Sequence, residues 1–203
     1  MRLYCATTNP GKLREFQKAL AGSLDVETLP GLAAIPVCEE TGTTFEENAI
    51  QKALYYSKHC DGYLFAEDSG LEVDALDGQP GAYSARFAGP GATDEANNRL
   101  LLDRMRGVPD RTARFVCVAA VAESGRLVRT FRGEVEGRLT EDPRGSNGFG
   151  YDPLFFYPSF GCTLGEAPLD RKMEVSHRSR ALRAMLDYLT QSARNHPDRK
   201  PEQ

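Results

Sequence analysis

Two of the acidic pairs in this sequence are followed closely by glycine, Glu39-Glu40 by Thr41-Gly42 and Glu67-Asp68 by Ser69-Gly70. Carboxylate oxygens beside a glycine that permits close approach suit a hard, oxygen-ligated cation such as Mg²⁺. The ordinary alternative is a turn capped by Asp68. Adjacent strand side chains point to opposite sides, so only one of Glu39 and Glu40 is expected to face a given site. A third segment, Thr7-Thr8-Asn9-Pro10-Gly11-Lys12, brings hydroxyls, Gly and Lys together where a strand hands over to a helix. Free amides and the helix dipole make such a place an anion cradle. It lacks the spacing of a Walker A loop, and a plain turn with a solvated Lys12 competes with the anion reading.

Three further segments are polar at element boundaries. Residues 79–86 contain Pro80, Gly81 and Arg86, with Arg86 suited to a structural contact more than to phosphate. Residues 145–152 set Gly145, Gly148 and Gly150 around Phe149, Tyr151 and Asp152. A loop of this kind can close over a planar base, stacking being worth ~1–3 kcal/mol in nucleic-acid binders. Its alternative buries both aromatics as core. Finally, Lys172 precedes Ser176-His177-Arg178 at the start of a helix. Cations sit poorly at that end of the dipole, which favours a ligand that justifies them.

The elements that must position these residues follow from periodicity. Leu3-Tyr4-Cys5-Ala6-Thr7 reads as a buried strand, and residues 12–20 as a helix with Leu13, Phe16, Ala19 and Leu20 on one stripe. Thr44-Phe45-Glu46-Glu47 is a capping-box pattern opening a helix to about His59. Residues 63–66 predict a second buried strand that ends at the acidic turn 67–70. Thr93, followed by Asp94 and Glu95, opens a helix through Met105. Residues 114–122 are nearly continuous apolar sequence, expected for a central strand, and Ser124-Gly125 turns it into a hairpin partner. A last helix runs from Ser176 to about Leu189. The pattern is that of an α/β protein with a mixed sheet, one domain over residues 1–190 and a polar, frayed tail over 191–203.

Composition narrows the setting without naming the chemistry. Hydrophobic residues at 40% and charged residues at 27% fit a folded globular chain. A net charge of −4 argues against a broad nucleic-acid footprint, while leaving room for a few placed cations. No stretch approaches ~18 apolar residues, so no membrane span is expected. The five cysteines are scattered, as for reduced thiols, and the opening residues lack a signal-peptide core, so the expected compartment is the cytoplasm.

Taken together and in order, these motifs resemble the inosine triphosphate pyrophosphatase family, whose members remove ITP, dITP and XTP. The likeness covers nearly the whole chain, through residues 7–12, 39–53, 66–76, 80–89, 149–155 and 172–178. It implies an elongated α/β fold with a mixed sheet and two lobes around a central cleft, a homodimer, a Mg²⁺ cofactor and a purine nucleoside triphosphate as substrate. It assigns Asp68 as general base and metal ligand, with Glu39 as the other metal carboxylate. Thr7, Thr8, Asn9, Pro10, Gly11, Lys12, Ser69, Phe149, Gly150, Tyr151, Asp152, Lys172, His177 and Arg178 fall on its substrate-binding positions. Glu67 departs from the family, where bacterial relatives often carry a second Asp.

The implied reaction is attack of water on the α-phosphorus, with pyrophosphate leaving. Hypoxanthine and xanthine carry a 6-oxo acceptor where adenine carries an amino donor, so donors at that position reject ATP. His177, Arg178 and amides near residues 149–152 are the candidates, and GTP, which shares the 6-oxo group, is not rejected by this argument. Three readings compete: a Maf-type pyrophosphatase with another base preference, a nucleotide-binding sensor without turnover, and a purely structural dimerising domain. The motifs at 149–152 and 176–178 favour the purine reading over the first, the carboxylates at Glu39 and Asp68 count against the second, and the third leaves the polar motifs unexplained.

Overall fold

The computed structural model describes residues 3–23 and 26–195. These gather into two units: one holds the chain up to Asp68, Cys117–Gly133 and the chain from Arg178 onward, the other Ser69–Val116 and Glu134–His177. Seven strands, β1 (Leu3–Cys5), β2 (Val26–Thr28), β3 (Tyr63–Val73), β4 (Thr112–Glu123), β5 (Arg126–Leu139), β6 (Phe155–Tyr157) and β7 (Cys162–Thr163), hydrogen-bond in the order β2-β1-β3-β4-β5-β6-β7. The sheet is mixed: β1 runs parallel to β2 and β3, whereas β6 runs antiparallel to β5 and β7. The expected α/β class with a mixed sheet is what forms. Among the described residues no helix is long and apolar enough to cross a membrane.

In the first unit, helix α1 (Pro10–Leu20) buries Phe16 and Leu20 in a cluster with Leu3, Cys5, Phe65, Cys117 and Ala119. Phe16 and Phe65 meet edge to face, ring centroids 5.1 Å apart, a favoured aromatic geometry. The helix starts two residues earlier than its periodicity indicates. Asn9 is its N-cap and Pro10 its first residue, where a missing N–H costs nothing. Helix α2 (Phe45–Tyr56) has the expected capping box: Thr44 accepts from the Glu47 amide at 3.1 Å, and the Glu47 carboxylate accepts from the Thr44 amide at 3.2 Å. A 3₁₀ turn, Ser57–His59, continues it.

The second unit packs Leu71, Leu101, Phe115, Val135, Tyr151, Leu154 and Phe155 into its own core. Helix α3 (Asp94–Arg104) opens at Thr93, whose hydroxyl accepts from the Ala96 amide. Ahead of the final helix α5 (His177–Asn195) lies a short one, α4 (Leu169–Val175). α5 reaches Asn195, past the point where the apolar stripe stops, so the first residues of the expected tail are helical. The rest of that tail, 196–203, lies outside the described residues.

The expectation of an acidic turn at residues 67–70 is overturned. β3 runs unbroken through Glu67-Asp68-Ser69-Gly70 to Val73. A strand can carry two adjacent carboxylates because it sends them to opposite faces, provided each face supplies partners. Gly70 has a steric reason of its own: a Cβ there would lie 2.1 Å from Ser84 Oγ.

Candidate active site

In the first unit, each carboxylate of β3 has its own cations. Glu67, buried, receives the Lys12 ammonium at 2.5 Å, with an Arg178 nitrogen 3.7 Å away. The Cys117 thiol donates to its other oxygen at 3.4 Å. Burial alone would push the Glu67 carboxyl up; Lys12 and then Arg178 outweigh it and hold the group well below the ordinary glutamate range. Arg178 is itself buried and pairs with Glu15 from α1.

Asp68 faces different partners. Its Oδ1 takes the Lys52 ammonium at 3.1 Å and its Oδ2 accepts from Asn48 Nδ2 at 3.3 Å. Asn48 and Lys52 are one turn apart on α2, hence on one face, and Asn48 also anchors Gly42 by accepting from its amide at 2.9 Å. Lys52 lies 3.1 Å from Glu40 as well, so two carboxylates converge on one ammonium. Burial raises the Asp68 pKa, an effect that Lys52 only partly offsets. Lys52 shows the reverse: burial disfavours its charge, and Asp68 followed by Glu40 more than restores it, so its pKa rises.

Glu40, and not Glu39, therefore joins Asp68. Glu39 is exposed, and its carboxylate makes no hydrogen bond or ion pair with the described residues. These residues lie in no strand, so the alternation rule applies to Glu67 and Asp68 rather than to this pair. In the phosphate-cradle segment, Asn9 Oδ1 already accepts from the amides of Gly11 and Lys12, and Thr7 Oγ1 from that of Asn9. Thr8 and Pro10 are exposed, and Lys12 is part-exposed on Glu67.

In the second unit, Lys172 and Asp152 form a buried ion pair at 2.5 Å, each side chain 2% exposed. The same Asp152 Oδ2 accepts from the Phe149 amide at 3.0 Å, and the Lys172 ammonium stands 5.2 Å over the Phe149 ring. Gly148 is required here, because a Cβ would meet that carboxylate at 2.0 Å. Tyr151 is core, as its alternative reading had it, and its hydroxyl donates to the Ser84 carbonyl at 2.8 Å. Phe149 is half-buried, and Ser69 in β3 likewise. The His177 ring is buried and stacks on Phe115, centroids 4.9 Å apart and 14° from parallel.

The dipole argument for a ligand at the start of α5 is thus answered inside the protein, because Glu15 and Glu67 neutralise Arg178. Sequence reasoning missed Glu15, Asn48 and Lys52 as members of this network. The signal was available: a capping box fixes where α2 begins, and Asn48 and Lys52 then share a face.

Fold and site define an α/β protein whose mixed sheet carries two neighbouring carboxylates, each held by its own lysine. The chain belongs to the Ham1 family, whose model matches residues 3–188. A dITP/XTP pyrophosphatase of Exiguobacterium sp. is 50% identical over 186 residues, 91% of this chain and 95% of that protein. One of Acidobacterium capsulatum is 48% identical over 199 residues, 93% and 98% of the two chains. The solved structure of the Staphylococcus aureus Ham1 protein superposes with a TM-score of 0.84 at 38% identity, covering 95% of this chain and all of that one.

Proposed function

We propose that this protein hydrolyses non-standard purine nucleoside triphosphates, ITP, dITP and XTP, to the monophosphate and pyrophosphate. The substrate class comes from relatives named dITP/XTP pyrophosphatase that align over nearly their full length. The observation that carries the chemistry is the convergence of Asp68 and Glu40 on Lys52, two oxygen ligand groups gathered around a positive charge. Magnesium commonly keeps its waters and uses only one or two carboxylates together with substrate phosphates, so this pair fits it. Held by Asp68 together with Glu40, or with Glu39 as the resemblance assigns, the ion would neutralise charge on the phosphate chain.

The chain's own residues do the rest. Asp68, with its basicity raised by burial, orients the attacking water and accepts its proton. Lys12 exchanges Glu67 for a phosphate oxygen, and the hydroxyls of Thr7, Thr8 and Ser69, with the 9–11 backbone, line the phosphate side. Phe149 offers its ring face to the base, with Gly150, Tyr151 and Asp152 shaping that loop and Lys172 fixing it. His177 and Arg178 are assigned to the base. Arg178 must give up Glu15 or Glu67 to reach a 6-oxo group, an exchange only a well-desolvated acceptor can drive. The resemblance further supports a homodimer working on the cytoplasmic nucleotide pool, in keeping with five free thiols.

Pyrophosphate release from ITP, dITP, XTP, GTP, ATP and the pyrimidine triphosphates, with Mg²⁺ saturating, tests this. Turnover strongest on ITP, dITP and XTP is expected. Preference for a pyrimidine triphosphate, or binding without turnover, sinks it.

A further inference from the structure

Helix α3 holds Gly150 of the Phe149 loop through both its N–H and its C=O, which belong to two successive peptide groups. The Gly150 amide donates to Asp94 Oδ2 at 2.6 Å, and Asn98 Nδ2 donates to the Gly150 carbonyl at 3.0 Å. Asp94 and Asn98 are four residues apart in the first turns of α3 and so share a helix face. The Thr93 cap fixes where that face begins. Gly150 sits at φ +63, the left-handed region, between the Phe149 ring and the buried Tyr151.

Packing does not hold Gly150 by itself. A groove of about 710 Å³ runs beside it, bordered by Asp94, Asn98, Phe149 and Gly150. The second amide atom of Asn98 sharpens the point. Asn98 is 9% exposed, and its Oδ1 is buried with no hydrogen-bond partner among the described residues. A buried oxygen left unbonded is unfavourable, and turning the amide over would set that oxygen against the Gly150 carbonyl. Asn98 is therefore kept in the orientation that serves Gly150. The charge of Asp94 also reaches Tyr151, whose phenol is raised by burial first and by Asp94 second.

We propose that Asp94 and Asn98 are positioning residues: by fixing Gly150, α3 sets where the Phe149 ring presents its face to the purine. This rests on the function proposed above, in which Phe149 meets the base. Neither residue touches the substrate in this account. Loss of either should loosen base binding and leave the phosphate chemistry alone.

The test combines steady-state kinetics on ITP with hydrogen exchange of the Gly150 amide. Asp94→Ala and Asn98→Ala should each raise KM about 10-fold, with kcat within about 3-fold of wild type. In Asp94→Ala the Gly150 amide should exchange about 10-fold faster or more, having lost its acceptor. Asp94→Asn keeps an acceptor oxygen and should restore both readings to within about 3-fold. The proposal is overturned if KM stays unchanged in both alanine variants. It is equally overturned if Asp94→Asn is as impaired as Asp94→Ala, or if kcat falls while KM does not. Absence of ITP turnover in the wild-type protein is a different failure, that of the function itself.

Discussion

The two units put buried polar groups to opposite uses. In the first, β3 carries Glu67 and Asp68 on opposite faces, and each carboxylate meets side-chain cations: the part-exposed Lys12 and the buried Arg178 on one side, Lys52 on the other. In the second, the pairs fix backbone: Asp152 ties Lys172 to the Phe149 amide, while Asp94 and Asn98 hold Gly150. Under the function proposed above, the first unit would supply charge to a phosphate chain, while the second holds the shape of a loop.

The comparison breaks most sharply at the fully buried pairs. Removing one member leaves the other charged and unsolvated, at a cost of about 3–5 kcal/mol. Arg178→Ala takes the buried guanidinium from Glu15 in the first unit, and Lys172→Ala the buried ammonium from Asp152 in the second. Both should lower unfolding free energy by that order in urea titrations. Lys12→Ala should lose far less, since Lys12 is part-exposed and Glu67 keeps Arg178. Equal losses in all three variants would show that the first unit's lysine is as structural as the second's.

Asp68→Asn should lower kcat about 10²–10³-fold, the range for a general base or a key electrostatic group. Stability should hold or improve at neutral pH. Burial raises the Asp68 pKa, so its charge disfavours the folded state there, and the near-isosteric amide removes that cost. Pyrophosphate release and thermal melting of the same variant check both halves. Retained kcat would remove Asp68 from the chemistry.

Much of this arrangement was legible in the sequence. The Thr44 capping box, the Thr93 cap, the buried run of β4 and the Ser124-Gly125 hairpin turn are local signals, set by the residues that display them. What failed was non-local. Glu67-Asp68-Ser69-Gly70 looks like a turn because two acids and a glycine are poor strand formers. Partners from α1, α2 and α5, 16 to 111 residues away in sequence, reverse that preference. For the same reason the different surroundings of Glu39, which the resemblance assigns to the metal, and of Glu40 were not legible: the placement of Lys52 beside Glu40 sets them apart. His177 and Arg178 were noticed for a conflict with the helix dipole, and the carboxylates that resolve it lie on other elements.

Neighbours on β3 should also titrate with opposite signs. Glu67 is depressed when folded, so its stabilisation is complete above its unfolded value of about 4.5 and is lost as pH falls below that. Asp68 is raised, so its charge costs stability as pH climbs from about 3.8 through its folded value. Glu67→Gln should therefore flatten the acid limb of unfolding free energy against pH by up to about 1.4 kcal/mol per pH unit. Asp68→Asn should steepen the net fall toward acid, because it removes the term of opposite sign. Urea unfolding between about pH 3 and 6 reads both, and a shared sign would mean that the two faces of β3 do not differ electrostatically.

The smallest expected effect tests which acidic residue would share with Asp68 the metal ion proposed above. Glu40 and Asp68 already converge on Lys52, whereas the Glu39 carboxylate stands in solvent. Glu40→Gln removes a charged oxygen ligand but keeps the side chain's length, so it should raise the Mg²⁺ needed for half-maximal activity several-fold, about 1 kcal/mol in binding. KM for ITP, measured at saturating Mg²⁺, should move less. Glu40→Gln also frees Lys52 to pair with Asp68 alone, which opposes the metal further and adds in the same direction. Glu39→Gln should shift the magnesium requirement little, because an exposed charge is screened. A magnesium titration of both variants decides the matter. The larger shift in Glu39→Gln would mean that residues 39 and 40 exchange places when the metal arrives, and that the Lys52 pairing marks only the metal-free arrangement.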